Sequence, residues 1–472
     1  MKFSSTCGFA GRLLLGGTPY PTVRPQDGRE KVAFGQIDPD TLDETIALGR
    51  SAEPAMQEMP PRERSSALHA LADRITEEAV TFTQLESGQT GKPYWQMGQR
   101  ELPHIISVFR YYADLALTLE PRDVEALDGC RTTIRRRPAG LTALILPWNY
   151  PLMIAAWKIA PALAAGCPVI VKPDPKTPAS VLHLAYLAED VLPQGALSVV
   201  IGDHRTGRTV ASDPRVRMVS VTGSRSAGRK VALYCASDSK GTHLELGGNC
   251  AAYVDASITR ESVTRLADAI VFNAGQSCAA PSRIVTIGSR PDSDAIVDAL
   301  YAELKQRKCG PPDEANVDYG PQITAAARDG LMARLTQASG TLLTAGRNVP
   351  DAGWYMRPQL LLYPDAADAI HEKELFGPTV SVQNVPTLED ALAMAEADTH
   401  GLAASVWSQK PDVVDALAVT VRAGEVWVNT CLEQAPGLPH TATGISGNAT
   451  DLTESTMHAF TYEQAVTVRS DL

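Results

Sequence analysis

The 472-residue sequence predicts an α/β fold built on a mostly parallel sheet. Three observations carry that prediction. Short apolar strands alternate with helical stretches through the middle of the chain. Strands such as PVIV (168–171) are apolar throughout, as expected when both faces are buried. The length suits two or three domains of roughly 150 residues each.

The elements follow in order. From Leu42 to about Leu117 the pattern is helical, with good helix formers and few strand-like runs. LTALIL (141–146) predicts a buried strand, and MIAAWKIAPALAAG (153–166) a helix closed by Gly166. CPVIVKP (167–173) is a second strand, and Ala179–Val191 a further helix. ALSVVIG (196–202), VRMVSVTG (216–223) and THLELGG (242–248) complete the first series. A second series holds SRIVTIG (282–288), an acidic helix near Asp292–Arg307, and VWVN (426–429). The alternating run FTYEQAVTVR (460–469) is a strand suited to pairing with an edge in this chain or in another subunit.

Composition narrows the function. A net charge of -11 argues against a general nucleic-acid or anionic-membrane binder, since both need a basic face. The eight cysteines are scattered, with no C-x-x-C pair and no zinc-like Cys/His cluster, so neither a disulfide framework nor a metal site is expected. That distribution points to free thiols in a reducing, cytoplasmic setting. The start, MKFSSTCGFAGRLLLGG, makes a poor signal peptide. The apolar stretch from Leu141 to Val171 is broken by Pro147, Pro151, Pro161 and Pro168, so no run long enough to span a membrane survives.

No G-x-G occurs anywhere, so the usual dinucleotide fingerprint is missing. GSRSAG (223–228) is the nearest substitute: a glycine-bounded turn leading into a helix, whose free N–H groups can hold an anion. It fits a plain helix start capped by Ser224 equally well. HEKEL (371–375) lacks the second histidine of a zinc hydrolase, and Ser237 with Lys240 matches only the very short pattern S-x-x-K.

GQSCAAPSR (275–283) sets Cys278 among small and polar residues in a tight loop. Three other stretches give that thiol a context. PWNYP (147–151) puts Asn149 at a strand exit, LELGG (244–248) puts Glu245 at a strand end, and ELFGP (374–378) adds Glu374 and Phe376 in another loop. Together with GKP (91–93), VKP (171–173), VTGS (221–224), HGLAASVW (400–407) and VWVN, in this order, they resemble the aldehyde dehydrogenase superfamily over nearly the whole chain.

The resemblance implies NAD(P)-dependent oxidation of a small aldehyde to its acid, with Cys278 as nucleophile, Glu245 as the base for water and Asn149 as an oxyanion donor. The residue types suit the chemistry. A soft thiolate adds to a carbonyl, the resulting oxyanion needs a donor, and a carboxylate can activate the water that cleaves a thioester. It places Lys172, Ser224, Gly223 and Gly207 on the adenosine and phosphate side of the cofactor, and Trp148, Glu374 and Phe376 at the nicotinamide end. It further implies a Rossmann-like nucleotide-binding domain (1–119 and 139–244), an α/β catalytic domain (245–445) and a small β oligomerisation element (120–138 and 446–472), assembled as a homodimer or homotetramer.

Two departures from the family pattern bear on specificity. The family's KP-S/A-E run carries a carboxylate that grips the adenosine ribose; KPDPKTP (172–178) has Pro175 there and Lys176 next. Either NAD or NADP is therefore expected, with a lean to relaxed specificity or NADP, although Asp174 could rescue NAD. After LPH the usual paired glycines and basic residue are replaced by TATGISGNATDLTES (441–455). Within the family, the sequence looks most like the aminobutyraldehyde and betaine aldehyde branch, with Tyr150, Trp157 and Trp407 as aromatic walls for a cationic substrate. Two rivals stand beside this reading: a CoA-acylating aldehyde dehydrogenase, and a binding protein that kept the fold without catalysis.

Overall fold

The computed structural model describes residues 5–124, 128–347, 349–365, 368–372 and 374–469. Two seven-stranded sheets dominate it. In the first, the strands run in the order Gly241–Glu245, Met218–Thr222, Thr142–Ile145, Val169–Lys172, Leu197–Val200, Thr6–Phe9 and Leu13–Leu15. The first five are parallel, and the amino-terminal hairpin adds two antiparallel strands at one edge. Because the five run parallel, the segment that follows each leaves from the same edge of the sheet.

The helices expected between Leu42 and Leu117 are present, and their apolar stripes bury into the first domain. In Leu102–Ala116 the residues Ile105, Val108, Phe109, Tyr112, Ala113 and Ala116 recur at three- and four-residue spacing and are completely buried. A π-helical turn over Gln96–Glu101 precedes it. The helix Pro151–Ala164 opens on proline at its first position, where no N–H is needed. Gly166, with φ of 87°, lets the chain leave it. Its one charge, Lys158, lies in the interior and is held by Asp451 at 2.5 Å. Removing either partner would strand a buried charge at a cost of about 3–5 kcal/mol.

The second sheet runs in the order Thr341–Thr344, Gln359–Leu362, Thr379–Val385, Arg283–Ile287, Ala251–Asp255, Ala403–Trp407 and Glu425–Val428, parallel except at its first edge. A third, antiparallel sheet joins Thr461–Arg469, Cys130–Pro138 and Arg122–Val124, so the tail strand pairs inside its own chain across nine residue pairs. Among the described residues no helix is long and apolar enough to cross a membrane.

Candidate active site

The parallel register lines up the carboxyl ends of the first sheet. Ile145 lies opposite Lys172 and Val221, and Thr222 lies opposite Glu245. The loop carrying Trp148 and Asn149, the Gly223–Ser224 turn and Lys172 therefore share one edge, where open α/β sheets take their ligands. Gly207 sits in the next helix, His204–Ser212, against the Lys172 side chain. Ser224 caps the helix Arg225–Ala236, its side chain accepting from the Ala227 N–H. The capping reading and the anion-site reading thus fall on one residue.

The second sheet presents its opposite, amino-terminal edge to the same space. Cys278 lies on the loop entering Arg283–Ile287, Glu374 and Phe376 on the loop entering Thr379–Val385, and Glu425 begins the strand Glu425–Val428. The Cys278 loop is fixed from many sides. Asn273, Ala274 and Gly275 all adopt positive φ. Gln276 donates to the Asn273 and Pro321 carbonyls and accepts from the Ile323 N–H, while Gln322 donates to the Ala274 carbonyl. Such a loop holds its cysteine in one place.

Cys278 stands in the wall between two cavities. One, of about 220 Å³, is lined by Trp148, Asn149, Thr222, Gly223, Ser224, Glu245, Gly247, Glu374 and Phe376 among others. The other, of about 280 Å³, is lined by Tyr150, Met153, Trp157 and Phe272 with Gln99, Arg100, Glu101, His104, Glu433 and Gln434. The π-helical turn supplies Gln99, Arg100 and Glu101 to that second lining.

In the first cavity the Trp148 and Phe376 rings meet edge to face with centroids 5.4 Å apart. Glu374 is half-buried, its buried Oε1 has no hydrogen-bond partner, and burial followed by the charge of Glu245 pushes its carboxyl well above the usual range. Thr222 Oγ1 is likewise unpartnered. A carboxyl oxygen and a hydroxyl, both buried and left open beside two aromatic faces, fit a ligand that brings its own hydroxyls and a flat ring. That is the chemistry of a dinucleotide. Lys172 and Ser224 would hold its phosphate side, and Trp148, Glu374 and Phe376 its ring end.

Around the thiol, Asn149 is buried and its Nδ2 donates to the Gln276 carbonyl at 3.0 Å, leaving its second N–H for another acceptor. Neither oxygen of Glu245 has a hydrogen-bond partner, although the residue is completely buried. Burial opposes its charge, but His440 and Lys158 outweigh burial and hold the carboxyl below its usual value. Burial, then the Glu245 charge, pushes the Cys278 thiol up to about 12.

Of the aromatic walls expected from sequence, Tyr150 and Trp157 line the second cavity. Trp407 does not. It is buried in the core against the second sheet beside Val254 and Leu266, with its indole donating to Ser405. It is the last residue of the strand Ala403–Trp407, at the carboxyl end, whereas the second sheet meets the site at its amino-terminal edge. His440, which sequence reasoning passed over within LPH, is instead brought against Glu245 and Cys278. The unusual run after it is tied to the same strand end, with Asn448 accepting from the Leu244 N–H and Ser446 from the Leu246 N–H.

Comparison with known proteins agrees with this geometry. The Aldehyde dehydrogenase family profile matches residues 16–466. The aminoacetaldehyde dehydrogenase of Pseudomonas aeruginosa is 31% identical, over 89% of this chain and 86% of its own. The mitochondrial benzaldehyde dehydrogenase of Antirrhinum majus is also 31% identical, over 88% of this chain and 79% of its own. Among solved structures, PnpE in complex with nicotinamide adenine dinucleotide superposes with a TM-score of 0.94 at 30% identity, covering 99% of this chain and 98% of that one. The chain belongs to the aldehyde dehydrogenase family and is an NAD(P)-dependent oxidoreductase acting on aldehydes.

Proposed function

We propose that the enzyme oxidises an aminoaldehyde, such as 4-aminobutyraldehyde, to its carboxylic acid through a covalent intermediate on Cys278. One observation carries the reading: Cys278 sits in the wall shared by the two cavities, with an unpaired, buried carboxylate at Glu245 beside it. The thiolate adds to the carbonyl carbon, and the free N–H of Asn149 stabilises the oxygen of the thiohemiacetal. One such donor is worth about 3 kcal/mol in the transition state. NAD or NADP, when bound, supplies the acceptor for the hydride. Glu245 then takes a proton from water as it attacks the thioester, and the acid leaves. A buried base in that position favours hydrolysis over transfer to CoA.

The aminoaldehyde is supported by the second cavity. Tyr150 and Trp157 set aromatic rings in its lining, Tyr150 already carrying the Lys92 ammonium 4.6 Å from its centroid, and Glu433 adds a carboxylate to a lining whose one opposing cation is Arg100. For the cofactor, Asp174 supports the lean to NADP or relaxed specificity. It is engaged by Lys176 at 3.0 and 3.1 Å, which neutralises the carboxylate that could repel a 2′-phosphate. The same reading includes a cytoplasmic enzyme, in keeping with its eight free cysteines.

Absorbance at 340 nm tests these points in one experiment. 4-Aminobutyraldehyde should give a kcat/KM at least about tenfold above that of butyraldehyde, and NADP should support turnover within about tenfold of NAD. Cys278→Ala should remove turnover with every aldehyde. Equal efficiency for the two aldehydes removes the aminoaldehyde assignment, and a strong NAD preference removes the cofactor lean. Turnover surviving in Cys278→Ala would overturn the reaction itself.

A further inference from the structure

His440 belongs to none of the roles assigned above, yet it is the completely buried centre of a polar chain. Its Nδ1 lies 2.7 Å from Glu425 Oε2. Gln434 Nε2 lies 2.9 Å from the same Nδ1 and 3.2 Å from the same Glu425 oxygen. The carboxylate contact is the shorter and a carboxylate only accepts, so Nδ1 carries the proton to Glu425 and the Gln434 amide donates to that oxygen. The tautomer so fixed directs Nε2 the other way. Nε2 has no hydrogen-bond partner, nor has either oxygen of Glu245. A ring nitrogen of His440, the Cys278 sulfur and a Glu245 oxygen all lie within 4.8 Å of one another, and Nε2 is the nitrogen on the Glu245 side, 3.9 Å from its Oε1.

We propose that His440, oriented by Glu425, is the proton partner of Cys278, taking the thiol proton on Nε2 and standing as imidazolium beside the thiolate. The inference rests on the reading of Cys278 as the nucleophile. The S–H bond breaks and an N–H bond forms, with no net change of charge in the pair. When the thiolate attacks, the C–S bond forms and the carbonyl electron pair moves to oxygen. Glu245 is left as a carboxylate for the later water step.

The surroundings favour this division of work. Cys278 needs help to ionise, because burial and the facing Glu245 charge both oppose a thiolate there, whereas His440 works in its favour. Burial opposes charge on His440 too, but Glu425 and then the Cys278 and Glu245 contacts hold it well above the usual imidazole value. The other groups facing the ring do not reverse this. Trp157 packs edge-on with centroids 5.1 Å apart, and His104 behind it is driven by burial to about 4, so it stays neutral. Asp451, paired with His440 across two short strands, is already engaged by Lys158. Cysteine activated by an imidazole that a third group orients is a general solution to making a nucleophile near neutral pH.

The test needs neither aldehyde nor cofactor. The rate of iodoacetamide alkylation at Cys278 is followed against pH by peptide mass spectrometry, in wild type, His440→Gln and Glu425→Gln, with folding checked by circular dichroism. His440→Gln should slow alkylation at pH 7 by about tenfold or more and move the midpoint up by about one unit. Glu425→Gln should move it the same way by less. A His440→Gln midpoint equal to wild type overturns the proposal; if that variant does not fold, an unchanged midpoint in Glu425→Gln overturns it. A shifted midpoint in a protein that oxidises no aldehyde would support the pair while striking the proposed function. Aldehyde oxidation with an unshifted midpoint strikes the pair alone.

Discussion

Replacing Glu245 by glutamine should separate the two halves of the proposed reaction. The amide keeps the shape of a side chain buried at the end of Gly241–Glu245 but cannot take a proton from water. A burst of one equivalent at 340 nm, followed by turnover slowed about a hundredfold or more, is the expected course; equal slowing of burst and steady state would place Glu245 before the thioester instead. A second residue-scale prediction concerns His243, which burial, with Lys158 beside it, lowers to about 4. Its Nε2 meets the Thr450 carbonyl at 3.1 Å, and its Nδ1 meets Ser220 Oγ at 3.1 Å and the Lys158 ammonium at 3.4 Å. The native state keeps this ring neutral, while the unfolded chain protonates it near 6.5. The unfolded state therefore binds the extra proton between pH 6.5 and 4, and native stability falls as pH drops through that window. Wild type should lose up to about 3 kcal/mol relative to His243→Gln across it, at about 1.4 kcal/mol per pH unit, read as a narrowing gap in melting temperature. A constant gap would show that His243 titrates normally. Cys278, Glu245 and Asn149 could be singled out in the sequence only because their short stretches, taken together and in order, resemble one family; each stretch alone fits an ordinary turn or core position equally well. His440 was not, because its partner Glu425 is fifteen positions away and only the fold joins them.

At the scale of elements, the loop 273–278 is the piece whose local conformation the site depends on. Gly275 has φ of 69°, and a Cβ there would lie 2.0 Å from the Gly377 carbonyl oxygen. The contact ties the Cys278 loop to the one carrying Glu374 and Phe376. Gly275→Ala therefore forces those two loops apart and should cost about 2–3 kcal/mol, with turnover falling further than stability alone explains. An alanine variant with wild-type melting temperature and kcat/KM would contradict this account of the loop. The first sheet's central strands were legible because they are short, mostly apolar runs of four or five residues, rich in Val, Ile and Leu and buried on both faces. The amino-terminal strands were not. Thr18–Val23 reads TPYPTV, and two prolines argue against a strand unless it lies in a two-stranded ribbon, which is where it is found, paired with Glu30–Gln36. The π-helical turn at Gln96–Glu101 was equally hidden, since apart from Gly98 its residues are ordinary helix formers and the wider turn leaves no pattern in so short a run.

For the whole molecule, the order of parts along the chain follows from the alternation of strands and helices, but the way the two large sheets face each other does not. It depends on loops at the carboxyl edge of one and the amino edge of the other, whose residues carry no periodic signal. The third sheet poses the question of assembly. Thr461–Arg469 pairs with Cys130–Pro138 on one side only, and among the described residues no strand pairs with its other edge. Tyr462, Val466 and Val468 on it are 53%, 38% and 57% exposed. A nine-residue edge carrying exposed apolar side chains is a template for pairing with another chain unless something covers it. A homodimer or homotetramer, as the family resemblance implies, would cover it with a second copy, in line with the commonness of closed symmetric assemblies. Light scattering after gel filtration should give twice or four times the 50.5 kDa chain mass. Val466→Lys combined with Val468→Glu should shift that mass downward, while the melting temperature of the separated chain stays within a few degrees, because both side chains point away from the two large cores. A wild type that elutes at the mass of one chain would remove the assembly and leave the exposed edge to be explained within a single subunit.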